Sequence, residues 1–182
     1  SDHNSGIIAS SACLGGVYAG DYWDNRDSGE LAGDAILNAM RETTRRMKAI
    51  FGDRWYGEIQ WNNIPEQHEL NKYIIQVCRE FDVKLISTAD SHYPNPDAWK
   101  DRELYKRIGW LGKGGLPEYM SAELPSGVEE IGYELYPKNG EQMWESYQKY
   151  SEMLDQNYDD DMVMDSIKRT DYIANDLIED FM

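Results

Sequence analysis

Apolar positions along the chain switch between short continuous runs and stripes of helical period. Gly6-Ile-Ile-Ala-Ser-Ser-Ala-Cys13, small and β-branched, ends at Gly15-Gly16 and predicts a buried strand with a tight turn behind it. Val17 to Gly29 is polar and without period, and predicts an irregular connection. Leu31, Ala35, Ala39, Met47 and Ile50 then recur on one side of Glu30–Ile50, an amphipathic helix closed by Gly52. Trp55 to Gln60 predicts a second strand. Pro65 opens a helix with Glu66 in its first turn, where the macrodipole favours negative charge, and Leu70, Tyr73, Ile74, Val77 and Phe81 form its inward stripe.

Val83 to Thr88 predicts the third strand, and Pro94-Asn-Pro-Asp97 a turn that leads into a helix over Ala98–Ile108. Glycines and prolines punctuate Gly109 to Gly132, which predicts a long excursion, with a brief edge strand over Tyr133–Tyr136. Two more helices complete the pattern. Asn139–Leu154 turns Met143, Tyr147, Tyr150 and Leu154 inward; Met162–Ile178 does so with Met164, Ile167, Ile173 and Leu177. Alternating strands and helices are the pattern of parallel βαβ units, so the fold class is α/β. Three strands are too few to close a barrel alone.

Composition changes this picture in two places. The 182 residues suffice for one sizeable core, and no run approaches a membrane span. The net charge of -16, from 34 acidic and 18 basic residues, excludes a surface that grips nucleic acid by counterion release. It leaves open action on a phosphate ester through bound metal ions, which supply the charge that the side chains lack. Cys13 and Cys78 lie in different contexts and predict free thiols in a reducing, cytoplasmic compartment. The opening Ser1-Asp2-His3 lacks an initiator Met and suggests a processed or truncated start.

The candidate chemistry lies at the ends of strands. Asp90 and His92 come after the third strand two residues apart, so on an extended segment both project to one side and can bind a metal ion. Cys13 falls at the same end of the first strand. In parallel α/β architectures that end forms the functional rim. A bare Asp-x-His before proline is also the pattern of a capped turn, and a lone cysteine that of a small buried hydrophobe. Their shared rim is what argues for a site. His68 reads as part of a solvated helix surface, His3 as a terminal residue, and Asp159-Asp160-Asp161 as an acidic helix N-terminus. The sequence contains no P-loop, dinucleotide-binding glycine pattern, Gly-x-Ser-x-Gly elbow or Cys-x-x-Cys.

Four segments together resemble the PHP (polymerase and histidinol phosphatase) domain of C-family replicative DNA polymerases, the bacterial DNA polymerase III alpha-subunit type. They are Gly6 to Gly16 with its Cys-Leu-Gly turn; Phe51 to Gln60 with Pro65-Glu-Gln67 and Asn71; Leu85 to Tyr93 with Asp-Ser-His-Tyr; and Leu135-Tyr-Pro-Lys138 with Glu141-Gln-Met143, Lys168-Arg-Thr170 and Ile173-Ala174. Alanines stand at position 12, where the family has Gly before Cys, and at position 89, where it has Asn before Asp. The excursion after Gly112 is also longer than the family's.

The resemblance implies the later portion of a distorted (βα)7 PHP barrel over residues 1–110. It further implies a connecting excursion over 111–138 and helices over 139–182 that lead towards a polymerase core. It implies Cys13, Asp90 and His92 as metal ligands, and divalent zinc, manganese or magnesium as cofactor. The family's His-x-His strand and its catalytic palm have no counterpart here, so the chain would be a fragment of a longer polymerase or a piece of a split one. The expected parent is a DNA-directed DNA polymerase whose PHP domain is a 3'-5' exonuclease or a structural support. Its partners would be DNA, the remaining polymerase domains and other replisome subunits, with no membrane. A stand-alone PHP phosphoesterase and a non-catalytic scaffold are the alternatives.

Overall fold

The computed structural model describes residues 3–116, 133–156 and 158–178. Three parallel strands form the sheet, in the order β1 (Ala9–Ser10), β2 (Trp55–Gln60), β3 (Lys84–Thr88). Ala9 pairs with Trp55, and β2 runs beside β3 from Tyr56–Lys84 to Gln60–Thr88. β2 and β3 match the periodicity closely. β1 is much shorter than the apolar run suggests, because Ser11 keeps one ladder bond to Tyr56 O and Ala12 then turns away at φ +59°.

The helices α1 (Val17–Asn25), α2 (Ala32–Phe51) and α3 (Pro65–Glu80) cover the face of the sheet that carries Trp55, Gly57 and Ile59. α1 corrects the irregular connection expected there. Tyr18, Ala19 and Tyr22 recur at helical spacing and are all buried, but the phenols hide the stripe from a hydrophobicity reading. Their hydroxyls are satisfied far along the chain: Tyr18 shares a hydrogen bond with Thr44, and Tyr22 donates to Glu69. At Gly57 a Cβ would stand 2.3 Å from Cys78 Sγ, so only glycine lets α3 lie this close to β2. Gly52 closes α2 as expected, at φ +59°.

The later helices are α4 (Trp99–Leu111), α5 (Gly140–Met153) and α6 (Asp160–Tyr172). Asn139 and Gln142 cap α5 with a reciprocal capping box, and Asp159 caps α6 by accepting from Asp161 and Met162 N–H. Met143 and Tyr147 of α5 and Val163 and Ile167 of α6 enter the same hydrophobic core as α1–α3. α6 ends at Tyr172 and continues as a π-helix over Ile173–Leu177, close to the expected end at Ile178; Leu177 is exposed, so the expected inward stripe is incomplete.

α6 also finishes the sheet. The carbonyls of Leu85 and Ser87, two residues apart and so on one edge of β3, accept from Arg169 Nη1 and Thr170 Oγ1, each at 2.8 Å. Side chains thus satisfy the edge where another strand would pair.

Tyr133–Tyr136 is not a strand. Leu135 alone bonds to the chain beyond β3, accepting from His92 and Tyr93 N–H. Most of the expected excursion, residues 117–132, lies outside the described residues. Both cysteines are free thiols, and no described helix is long and apolar enough to cross a membrane.

Candidate metal-ligand rim

The three side chains singled out in the sequence lie at the C-terminal ends of β1 and β3. The chain leaves each strand through a left-handed residue, Ala12 at φ +59° after β1 and Asp90 at φ +48° after β3. Aspartate tolerates that conformation better than most residues; alanine does not. The turn after Cys13 closes when Gly16 N–H donates to Cys13 O at 2.8 Å, and Trp23 of α1 anchors it by donating to Leu14 O at 2.9 Å. Gly16 is obligatory, since a Cβ there would meet Ser11 O at 1.9 Å.

The turns bring the Cys13 thiol against the Asp90 carboxylate, and Asp90 Oδ2 in turn lies 3.4 Å from His92 Nε2. Burial pushes the Cys13 thiol above its ordinary range. The Gly15 backbone N–H opposes this, while the charge of Asp90 and its hydrogen bond add to it. His92 is the most open of the three, with 43% of its side chain exposed. Its backbone is fixed by Leu135 O at 2.8 Å, and Tyr93 buries its ring with Trp99 and Leu135 while its hydroxyl accepts from Leu135 N–H.

Cys13, Asp90 and His92 therefore form a chain through Asp90. Among the described residues no three His, Cys, Asp or Glu side chains group closely enough to hold a metal ion by themselves. The donor set of thiol, carboxylate and imidazole suits a borderline divalent ion such as zinc. It fits as one share of a centre whose remaining ligands would come from elsewhere.

His68 corrects the sequence reading. It is buried, not solvated: Nε2 lies 2.8 Å from Asn62 O, and the ring sits beside Trp61 and Tyr158. The sequence reading also missed Glu58. It lies on the polar face of β2, and Ser10, Thr88 and Gln60 all donate to its carboxylate. The signal was the alternation of apolar Trp55, Gly57 and Ile59 with Tyr56, Glu58 and Gln60, which puts a carboxylate inside a strand buried throughout.

No family model matches the chain. Parts of it are similar to proteins named DNA polymerase III subunit alpha. That of Aquifex aeolicus is 40% identical over 98 residues, 52% of this chain and 7% of the relative. That of Campylobacter jejuni is 27% identical over 154 residues, 85% of this chain and 12% of the relative. That of Thermus aquaticus is 29% identical over 107 residues, 59% of this chain and 8% of the relative. The chain thus spans only a small part of the length of these relatives.

Proposed function

We propose that the chain is part of a C-family replicative DNA polymerase and contributes the later strands of its PHP domain, a metal-dependent 3'-5' exonuclease. The observation that carries this reading is the 40% identity to a DNA polymerase III alpha subunit over 98 residues. The meeting of Cys13, Asp90 and His92 on one rim supports it further. Divalent ions, when bound, supply positive charge against a phosphodiester and activate water at neutral pH.

The chain's own residues have narrower tasks. Cys13, Asp90 and His92 would hold metal, and the contact with Asp90 orients the His92 ring. A chain with net charge -16 cannot retain a phosphate backbone by its own surface, so DNA would be held by the metal ions and by other parts of the polymerase. The 182 residues alone are expected to be inactive, since their ligands are only a share of a centre.

The test uses the full-length protein and a primer with a labelled 3' end. Manganese-dependent release of 3' nucleotides, lost in His92→Ala while primer extension persists, is the expected result. Release that survives both His92→Ala and Asp90→Asn would overturn the assignment. Wild-type protein that extends primers but releases nothing would make the domain a structural support.

A further inference from the structure

Glu58 is a buried carboxylate outside the candidate ligand set of Cys13, Asp90 and His92. Ser10 Oγ donates to its Oε2 at 2.6 Å, Thr88 Oγ1 to its Oε1 at 2.6 Å, and Gln60 Nε2 to Oε1 at 3.0 Å. Ser10 is the last residue of β1 and Thr88 the last of β3. One carboxylate in the middle strand thus holds the ends of both outer strands. The Glu58 backbone N–H adds a further tie, donating to Ser11 Oγ at 2.8 Å.

Each tie stands directly before a ligand-bearing turn. After Ser10 and Ser11 the chain turns left-handed at Ala12 and presents Cys13; after Thr88 and Ala89 it turns left-handed at Asp90. Residue pairing ends at Ser10 on one side and at Thr88 on the other, with one further backbone bond from Ser11 N–H to Tyr56 O. Where Cys13 meets Asp90 therefore depends on how the last residues of β1 and β3 are held relative to each other, and the Glu58 side chain spans that gap. An ionised carboxylate accepts from two hydroxyls at once in charge-assisted bonds, whereas an amide of equal size offers one oxygen.

We propose that Glu58 is a positioning residue, whose carboxylate fixes the ends of β1 and β3 so that Cys13 and Asp90 meet as ligands of one metal ion. This rests on the reading of Cys13, Asp90 and His92 as a shared ligand set, so the test has two separate readouts. In the first, cobalt(II) is titrated into the full-length protein and monitored by its thiolate charge-transfer band. Wild type should show the band and Cys13→Ser should not; Glu58→Gln should bind cobalt about tenfold or more weakly, as loss of a supporting hydrogen bond behind a ligand does. A full-length wild-type protein without a Cys13-dependent band overturns the ligand set.

The second readout needs no metal. Cys78 is buried, so iodoacetamide labelling of the full-length protein, read at the Cys13 peptide by mass spectrometry, reports Cys13. Glu58→Gln and Thr88→Val should each speed alkylation of Cys13 about threefold or more, the shift expected from loss of an ordinary hydrogen bond. Thr88→Ser, which keeps the hydroxyl, should leave the rate at the wild-type value. Thr88→Val decides the matter if Glu58→Gln fails to fold, because it removes one hydroxyl at a half-buried site and keeps the branched shape. Unchanged alkylation in the folded variants overturns the positioning role, whatever cobalt does.

Discussion

Ser87 of β3 and Ser166 of α6 share a buried hydrogen bond of 2.6 Å. Trp61 Nε1 donates to Ser87 Oγ at 3.0 Å, and Ser166 Oγ donates to Val163 O at 2.7 Å. One consistent direction results, from the indole through both hydroxyls to the carbonyl, with every donor used once. The chain of bonds fastens the strand that leads to Asp90 and His92 onto the helix that closes its edge.

Ser87→Ala breaks that chain in the middle. It leaves the Trp61 N–H, in a residue 1% exposed, without an acceptor, and Ser166 without its donor. The expected cost is about 2–3 kcal/mol, mostly the penalty of an unsatisfied buried donor. Urea unfolding would show it as a lower midpoint at unchanged slope. A loss below the scatter of surface substitutions would mean that the three groups are not coupled in this way.

Ala12 carries a Cβ where the backbone favours glycine, at φ +59°. The left-handed conformation costs an L-residue about 1–2 kcal/mol, and the greater freedom of glycine in the unfolded chain returns about 0.4–1 of that. Ala12→Gly should therefore stabilise by about 0.5–1 kcal/mol. Ala12→Val, β-branched, should destabilise. The same denaturation experiment reads both, and the two variants must move in opposite directions.

Legibility in the sequence tracked how local each determinant was. β2 is continuous and buried, β3 ends in a proline turn, and α3 carries its own stripe; each announces itself within a few residues. Cys13, Asp90 and His92 could be placed on one rim because strand ends are countable. α1 escapes a sequence reading because its buried side is phenolic and its hydroxyl partners, Thr44 and Glu69, sit on other helices. His68 misleads because what buries it is tertiary: Trp61 precedes its helix, and Tyr158 comes from the far end of the chain. The role of Glu58 depends on Ser10 and Thr88 together, and no local pattern encodes that pairing.

Gly57 tests the packing of α3 on the sheet. A Cβ there would stand 2.3 Å from Cys78 Sγ and 3.0 Å from Leu85 Cδ2, with both neighbours buried. Gly57→Ala should cost about 1–3 kcal/mol through overpacking. Combining it with Cys78→Ala removes the nearer clash, so the double variant should lose less than the sum of the two single losses. Simple additivity would show that Cys78 is not the atom that glycine accommodates.

His68 gives the fold a pH dependence near neutrality. With Nε2–H donating to Asn62 O, the other ring nitrogen is a buried acceptor without a partner, and a proton there would place a charge beside Trp61 and Tyr158. Burial lowers the pKa of the ring; the bond to Asn62 opposes this, and the charge of Lys72 adds to it. The unfolded chain takes up the proton near pH 6.5 while the folded chain resists it, so the unfolded state binds more protons as pH drops. The stabilisation is present above about pH 6.5 and is lost as pH falls through the folded value. Glu80, Glu103 and Glu134, whose pKa values lie below the ordinary 4.5, lose their contributions only at lower pH. Urea midpoints measured from about pH 7.5 to 5.5 should therefore decline in wild type and stay nearly level in His68→Gln, which lacks the titrating ring. A wild-type profile as flat as that of the variant would mean that His68 takes its proton as readily folded as unfolded.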